Sequence, residues 1–187
     1  MSYHHGNARA VLIQSAAELL ESEGAARLSL RQVAERAGLS RQAPYNHFAD
    51  KEALLAELVR DGFEQLGARI SGTAADATPL DRLTSAAEGY IAFGQEAPAL
   101  FRLMFSKELV DTAMHTTARD AAAAALARLS DIVAAFIPGS EVSDASLVAW
   151  SLVHGYTSLC IETGLEGADA RHRRAQLFAH TVEALKL

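Results

Sequence analysis

The residues best suited to recognition chemistry lie in one run, SRQAPYNHFADK, from Ser40 to Lys51. Gln42 and Asn46 each set a donor beside an acceptor, the pairing that reads the edge of adenine, and Ala43 offers a methyl that can meet thymine. At α-helical spacing these three share a face opposite Phe48, which makes them the base-reading candidates; the rival account is three solvated positions. Arg41 can reach guanine or a phosphate, and its position does not choose between them. Catalysis is poorly supplied by comparison. His154 or His115 could act as a general base, but no nucleophile, paired carboxylate or Gly-rich phosphate loop stands near either at a suggestive spacing, so no enzyme and no catalytic residue is expected. His4 and His5, beside Tyr3, lack a third ligand and a supporting shell, so no metal and no cofactor is expected; an arm touching the DNA backbone, or simple disorder, suits them better. The single cysteine, Cys160, can form no internal disulfide, which fits a reducing, cytoplasmic setting.

The elements that position this run are helices. Of 187 residues 50% are hydrophobic, only 6% are aromatic, and no stretch alternates β-branched with polar residues, so the chain reads as all-α. Nine helices are expected. The first runs from Asn7, its cap, to Ser22, with Ile13, Ala17 and Leu20 as its apolar stripe and Gly24 as its stop. Ser29 caps a second that ends near Ala37 and Gly38, and Ser40 caps a short third reaching Phe48, with Pro44 tolerated in its first turn. Two short helices separated by Gly38, Leu39 and Ser40 have the spacing of a helix-turn-helix. Later helices are expected over 51–70, 79–95, 98–105, 111–137, 142–163 and 169–185, with Pro138 and Gly139 ending the seventh. The apolar stretch from Ser146 to Ile161 is broken by Ser151, His154, Gly155 and Ser158 and falls short of the roughly 20 residues a bilayer span requires, and the amino terminus has no signal-peptide pattern, so a soluble chain is expected.

Charge narrows the partner. The net charge is −6, which argues against coating nucleic acid through the whole surface. Residues 27–51, however, hold Arg27, Arg31, Arg36, Arg41 and Lys51 against Glu35 and Asp50, a local +3, so the rest carries −9. An acidic body with one small basic patch approaches DNA in one orientation.

The stretch SLRQVAERAGLSRQAPYNHFADKEALLAELV, Ser29 to Val59, resembles the DNA-binding segment of the TetR/AcrR family of bacterial regulators. The elements that carry the likeness are Ser at the start of the second helix, Ala-Gly-Leu-Ser across the turn, Tyr and His-Phe in the third, and Lys-Glu-x-Leu opening the fourth. The start of the chain and the run Trp150-Ser-Leu-Val-His154-Gly155 resemble one subgroup, named for a carboxy-terminal Trp-His-Gly motif. The resemblance implies an amino-terminal helix-turn-helix domain, 1–50, and a ligand-binding and dimerisation domain, 51–187. It implies a homodimer formed through helices 142–163 and 169–185, a double-stranded DNA operator, and a repressor whose ligand changes the separation of the two DNA-binding heads. Tyr45, His47 and Lys51 match family positions that hold the DNA backbone, with packing under the recognition helix as the rival role for Tyr45. Ser29 resembles the position where a hydroxyl and helix amides bind a phosphate.

Phe63, Tyr90, Phe93, Phe101, Met104, Phe105 and Met114 are candidates for an apolar effector pocket, since methionine and aromatic side chains adapt to ligands, though each is individually ordinary core. Trp150 and His154 share a helix face, and His154 reads equally as a polar handle in that pocket or as a hydrogen-bonded core histidine; Gly155 permits another helix to come close. Arg171, Arg173 and Arg174 read as a solvated face, with Glu162, Glu166 or Asp169 able to offset them. The chain is expected to be a ligand-responsive DNA-binding regulator with a small, mostly apolar effector; the alternative is a DNA-anchored adaptor that binds a protein partner instead.

Overall fold

The computed structural model describes residues 8–72, 76–137, 139–164 and 168–184. Eight α-helices and one 3₁₀ turn account for them: α1 Ala8–Glu23, α2 Leu30–Arg36, the 3₁₀ turn Pro44–Asn46, α3 Lys51–Ile70, α4 Pro79–Glu96, α5 Pro98–Met104, α6 Thr116–Val133, α7 Val142–Thr163 and α8 Ala168–Ala184. There is no strand among the described residues. The Asn7 cap, the His4 and His5 arm, Pro138, Glu166, the Asp169 side chain and Leu185 lie outside them.

The expected third helix is not an α-helix. Residues 41–43 form a turn and only Pro44–Asn46 wind, as 3₁₀. Pro44 is the cause: it has no N–H to send to the Ser40 carbonyl, and Ala43 N–H fills that place at 2.9 Å. The tighter pattern continues, Asn46 N–H donating to Ala43 and His47 N–H to Pro44. The expected helix 111–137 is also shorter. Asp111 turns its carboxylate onto the Ala113 N–H at 3.1 Å and Met114 N–H donates to the Asp111 carbonyl, bonds that compete with the first helical turn.

The chain divides into two compact units, Met1–Gly62 with Ala99–Asp120, and Phe63–Pro98 with Ala121–Leu187. In the first, the buried face of α1 is Leu12, Ser15, Ala16, Leu19 and Leu20. The expected stripe of Ile13, Ala17 and Leu20 is thus turned by about one residue, because apolar residues on both sides of that helix leave two faces nearly equivalent. Val33, Ala34, Phe48, Leu54, Leu55 and Val59 complete the core around the recognition segment. Glu21 of α1 supplies what α5 lacks: its carboxylate accepts the Ala99 and Leu100 N–H groups at 3.1 and 2.8 Å, a cap delivered from another helix.

In the second unit α4 packs against α7 and α8. It begins with Pro79 and a reciprocal cap in which Asp81 N–H donates to Thr78 Oγ1 and Thr78 N–H to the Asp81 carboxylate. Its Leu83, Ile91 and Phe93 are buried together with Val153, Ala175, Ala179 and Val182. Gly89 is required by proximity, since a Cβ there would stand 2.8 Å from the Arg69 carbonyl oxygen. No helix among the described residues is long and apolar enough to cross a membrane.

Candidate functional site

The recognition segment is held from both ends. On its amino-terminal side, Ser29 caps α2, its Oγ accepting from Gln32 N–H at 3.3 Å and donating to the Gln32 side chain at 2.6 Å. The hydroxyl expected at a phosphate is therefore already engaged with Gln32. At the other end of α2, Gly38 takes the left-handed conformation, φ 65°, its N–H donating to Glu35 and the Leu39 N–H to Ala34. That doubly bonded stop needs glycine and fixes the turn into the recognition segment. Pro44 and Phe48 are then buried, while Tyr45, Asn46 and His47 between them are exposed, as are Arg41 and Gln42; Ala43 is half-buried. Tyr45 is 54% exposed, so its ring does not pack beneath the segment. In a 3₁₀ turn residues three apart align, which sets Ala43 with Asn46 and places Gln42 to one side rather than on one shared α-helical face.

The basic patch is partly spent inside the protein. Arg31 pairs with Glu35 at 3.0 Å, Arg41 reaches the same carboxylate at 3.9 Å, and Arg36 pairs with Glu18 of α1 at 2.8 Å. The Arg36 hydrogen bond, with a smaller one from Gln14, holds the Glu18 carboxyl below its ordinary value. Asp50 caps α3 through the Ala53 N–H at 2.8 Å, and Lys51 donates from Nζ to the Ala25 carbonyl at 2.7 Å. Arg27 is exposed and has no ion pair among the described residues. Arg27, Arg41 and Lys51 are consequently the cations of this patch least committed to carboxylates.

The apolar candidates separate. Phe101, Met104, Phe105 and Met114 belong to the first unit, where the Phe101 and Phe105 rings meet at a tilt of 55° with centroids 5.2 Å apart and Met104 fills the space left by Gly62. Met114 is 78% exposed. Phe63, Tyr90, Phe93, Trp150 and His154 belong to the second. There Tyr90 is the hub: its hydroxyl lies 2.9 Å from His154 Nδ1, its ring is edge-on to Trp150 at 6.1 Å, and it is hydrogen-bonded to the Trp150 side chain. The phenol oxygen has lone pairs for the indole N–H and for an imidazole N–H alike, so the Tyr90–His154 bond forms with either ring tautomer. Burial pushes the Tyr90 phenol well above its usual range and lowers the His154 imidazole.

The burial of His154 gives a pH dependence. The His154 pKa is depressed in the folded chain below the 6.5 of an ordinary imidazole, so its contribution to stability is complete above that value and is lost as pH falls through the folded value. Melting temperature is expected to drop below pH about 6.5 more steeply than in His154→Gln. Equal slopes for the two proteins would remove His154 as the titrating group.

Comparison with known proteins now decides the family. Residues 12–58 match the bacterial regulatory proteins of the tetR family, and residues 83–185 match the Tetracyclin repressor-like C-terminal domain. The chain belongs to the TetR family. A structure of a protein of unknown function from Rhodococcus sp. RHA1 superposes with a TM-score of 0.78 at 30% identity, covering 97% of this chain and 98% of that one. The TetR-family transcriptional regulator PfmR of Thermus thermophilus shares the fold, with a TM-score of 0.71 at 19% identity over 94% of this chain and 99% of that one. The nucleoid occlusion factor SlmA of Aliivibrio fischeri is 32% identical over 106 residues, 56% of this chain and 54% of the relative. The chain thus spans about half the length of the curated relatives it matches. This TetR-family chain thus carries, over residues 12–58, the segment shared by bacterial regulatory proteins.

In the TetR-family frame, α7 and α8 present an apolar surface. Leu147, Val148, Leu152 and Leu159 of α7 and Leu177 of α8 are exposed, and Gly155 sits among them with nothing within 4 Å of the place a Cβ would occupy. An open cleft of about 200 Å³ lies beside them, bounded by Ile91, Leu152, Val153, Tyr156, Leu177 and Phe178. None of the nine aromatic, methionine and histidine residues expected to line an effector pocket bounds it. Tyr90, Phe93 and Phe63 are instead buried. The arginines of α8 differ among themselves: Arg173 is exposed, Arg174 edges the cleft, and Arg171 is no solvated residue, since it donates to Gln95 of α4 at 3.1 Å and comes within 4.0 Å of Glu96.

Sequence reasoning missed three side chains of the first unit: Glu21 at α5, Arg9, which pairs with Glu57 at 2.7 Å, and Glu52, whose carboxylate accepts the Asp111 N–H and meets His115 Nε2, both at 3.2 Å. Their partners lie 48 to 79 residues away, beyond any local pattern.

Proposed function

We propose that this protein is a ligand-responsive repressor that binds a roughly palindromic DNA operator as a homodimer in the cytoplasm. The observation that carries the reading is the exposed row of Arg41, Gln42, Tyr45, Asn46 and His47, anchored by buried Pro44 and Phe48 at the end of a helix-turn-helix. Gln42, Ala43 and Asn46 read bases, Arg41 meets a guanine or a phosphate, and Tyr45, His47, Lys51 and the amino-terminal end of α2 at Ser29 hold the backbone. The division into a DNA-binding domain, 1–50, and a ligand-binding and dimerisation domain, 51–187, goes with it. Two copies meet through the exposed leucines of α7 and α8, setting the heads about one helical turn apart, roughly 34 to 36 Å. The effector is small and mostly apolar, and its binding alters the spacing of the heads. No catalytic step is assigned to the chain.

Selection from a random DNA pool tests this. An enriched palindrome is expected, with Tyr45→Ala and Lys51→Ala weakening every sequence alike and Gln42→Ala changing which bases are preferred. Unaltered preference in Gln42→Ala would remove Gln42 from the reading set. A second reading, a DNA-anchored adaptor for a protein partner, draws on the likeness to a nucleoid occlusion factor. Release of the selected operator by small apolar molecules favours the repressor; DNA binding indifferent to them, with capture of a defined protein partner, favours the adaptor.

A further inference from the structure

We propose that Arg9 is a positioning residue for DNA recognition, acting through Phe48 without touching DNA itself. The proposal rests on the reading of residues 41–47 as the DNA-contacting segment.

That segment cannot hold its own shape. Three residues of 3₁₀ turn contain too few hydrogen bonds to be stable alone, so its orientation is set by the side chains that anchor it. There are two such anchors, Pro44 and Phe48, both buried and flanking the exposed Tyr45, Asn46 and His47. Phe48 also closes the turn, its N–H donating to the Pro44 carbonyl at 2.9 Å. A small rotation about this anchor would displace all three exposed side chains together.

Arg9 fixes that rotation. It projects from α1, and its guanidinium carbon lies 5.6 Å from the centre of the Phe48 ring, the arrangement of a cation on an aromatic face. The same guanidinium is oriented by an ion pair from Nη2 to Glu57 Oε2 of α3 at 2.7 Å. Glu57 Oε2 also lies 2.6 Å from Arg60, which pairs with Asp61 as well, so the carboxylate sits between two guanidinium groups. Three elements, α1, the recognition segment and α3, are thereby joined through one planar group. Lysine could keep the charge toward Glu57 but has no plane to lay on the ring, so geometry and charge can be separated by substitution.

The test measures binding of a labelled duplex carrying the selected palindrome across a salt series, for wild type, Arg9→Lys, Arg9→Gln and Tyr45→Ala, with the melting temperature of each. Both Arg9 variants are expected to bind about tenfold more weakly with the salt slope unchanged, and the Gln42-dependent base preference is expected to relax. If Arg9→Gln instead flattens the slope by about two per dimer, Arg9 neutralises a phosphate and the positioning role is overturned. Full affinity in Arg9→Lys also overturns it, because the guanidinium plane that joins Glu57 to the ring would then be dispensable. Wild-type binding by Tyr45→Ala would sink the reading of the segment itself, whereas weakened Tyr45→Ala with normal Arg9 variants sinks only the present proposal. Should Arg9→Gln fail to fold, Arg9→Lys with a wild-type melting temperature still decides the matter.

Discussion

The double variant Leu152→Glu, Leu159→Glu is expected to sediment as a species of about 20 kDa at micromolar concentration, where the native chain of 19.9 kDa, as the proposed homodimer, is expected at about 40 kDa. The two leucines are 43% and 55% exposed in a single copy, so each copy should still fold when they are replaced. What changes is the association. Fully burying an exposed leucine contributes about 1.5 to 3 kcal/mol, of which about half is left for an interface to supply here, and four leave the interface of a symmetric pair with four carboxylates in their place. Even after the costs of association are set against that sum, weakening of dimerisation by about 10³-fold or more is expected. Operator binding should fall with it by about 10² to 10⁴, since two tethered heads bind by effective concentration and one head does not. A double variant that remains at 40 kDa would put the interface elsewhere.

Salt should be the strongest lever on DNA binding. If Arg27, Arg41 and Lys51 each meet a phosphate, a dimer neutralises about six, and the slope of log K against log salt should be near −5. Raising salt from 50 to 200 mM would then cost about 10³ in affinity. Lys51→Ala should flatten the slope by about two, one for each head, while Arg36→Ala should leave it alone, because that guanidinium is committed to Glu18. A slope near zero would mean that this surface does not carry the DNA. The body of the protein, at −9 outside residues 27–51, makes any other approach still less favourable.

How far the sequence discloses these features depends on the range of the forces involved. Helices α3 and α7 begin and end where sequence places them, Lys51–Ile70 and Val142–Thr163, because Asp50 and Gly164 mark their limits within the chain's own neighbourhood. The turn at Gly38 is legible for the same reason. The recognition segment is not, since one proline weighs against an otherwise helical run and only the geometry of the Ser40 carbonyl settles which wins. Nor is the Tyr90 to His154 bond legible: the two residues are 64 apart, and spacing on one helix cannot name a partner on another. It joins the Trp150 and His154 of one motif to a tyrosine that sequence had marked only as apolar lining.

The winding of the recognition segment has a further consequence. With the Ser40 carbonyl already satisfied by Ala43 and no N–H on Pro44, the α-helical bond that would tie the segment back to Ser40 cannot form when it meets DNA. The start of the segment is thus set before the encounter, and part of the yielding that the fit requires falls to the duplex. Base pairs that no side chain reaches should therefore still be discriminated, in the order of their stiffness, so that flexible pyrimidine–purine steps are favoured wherever the operator has to bend.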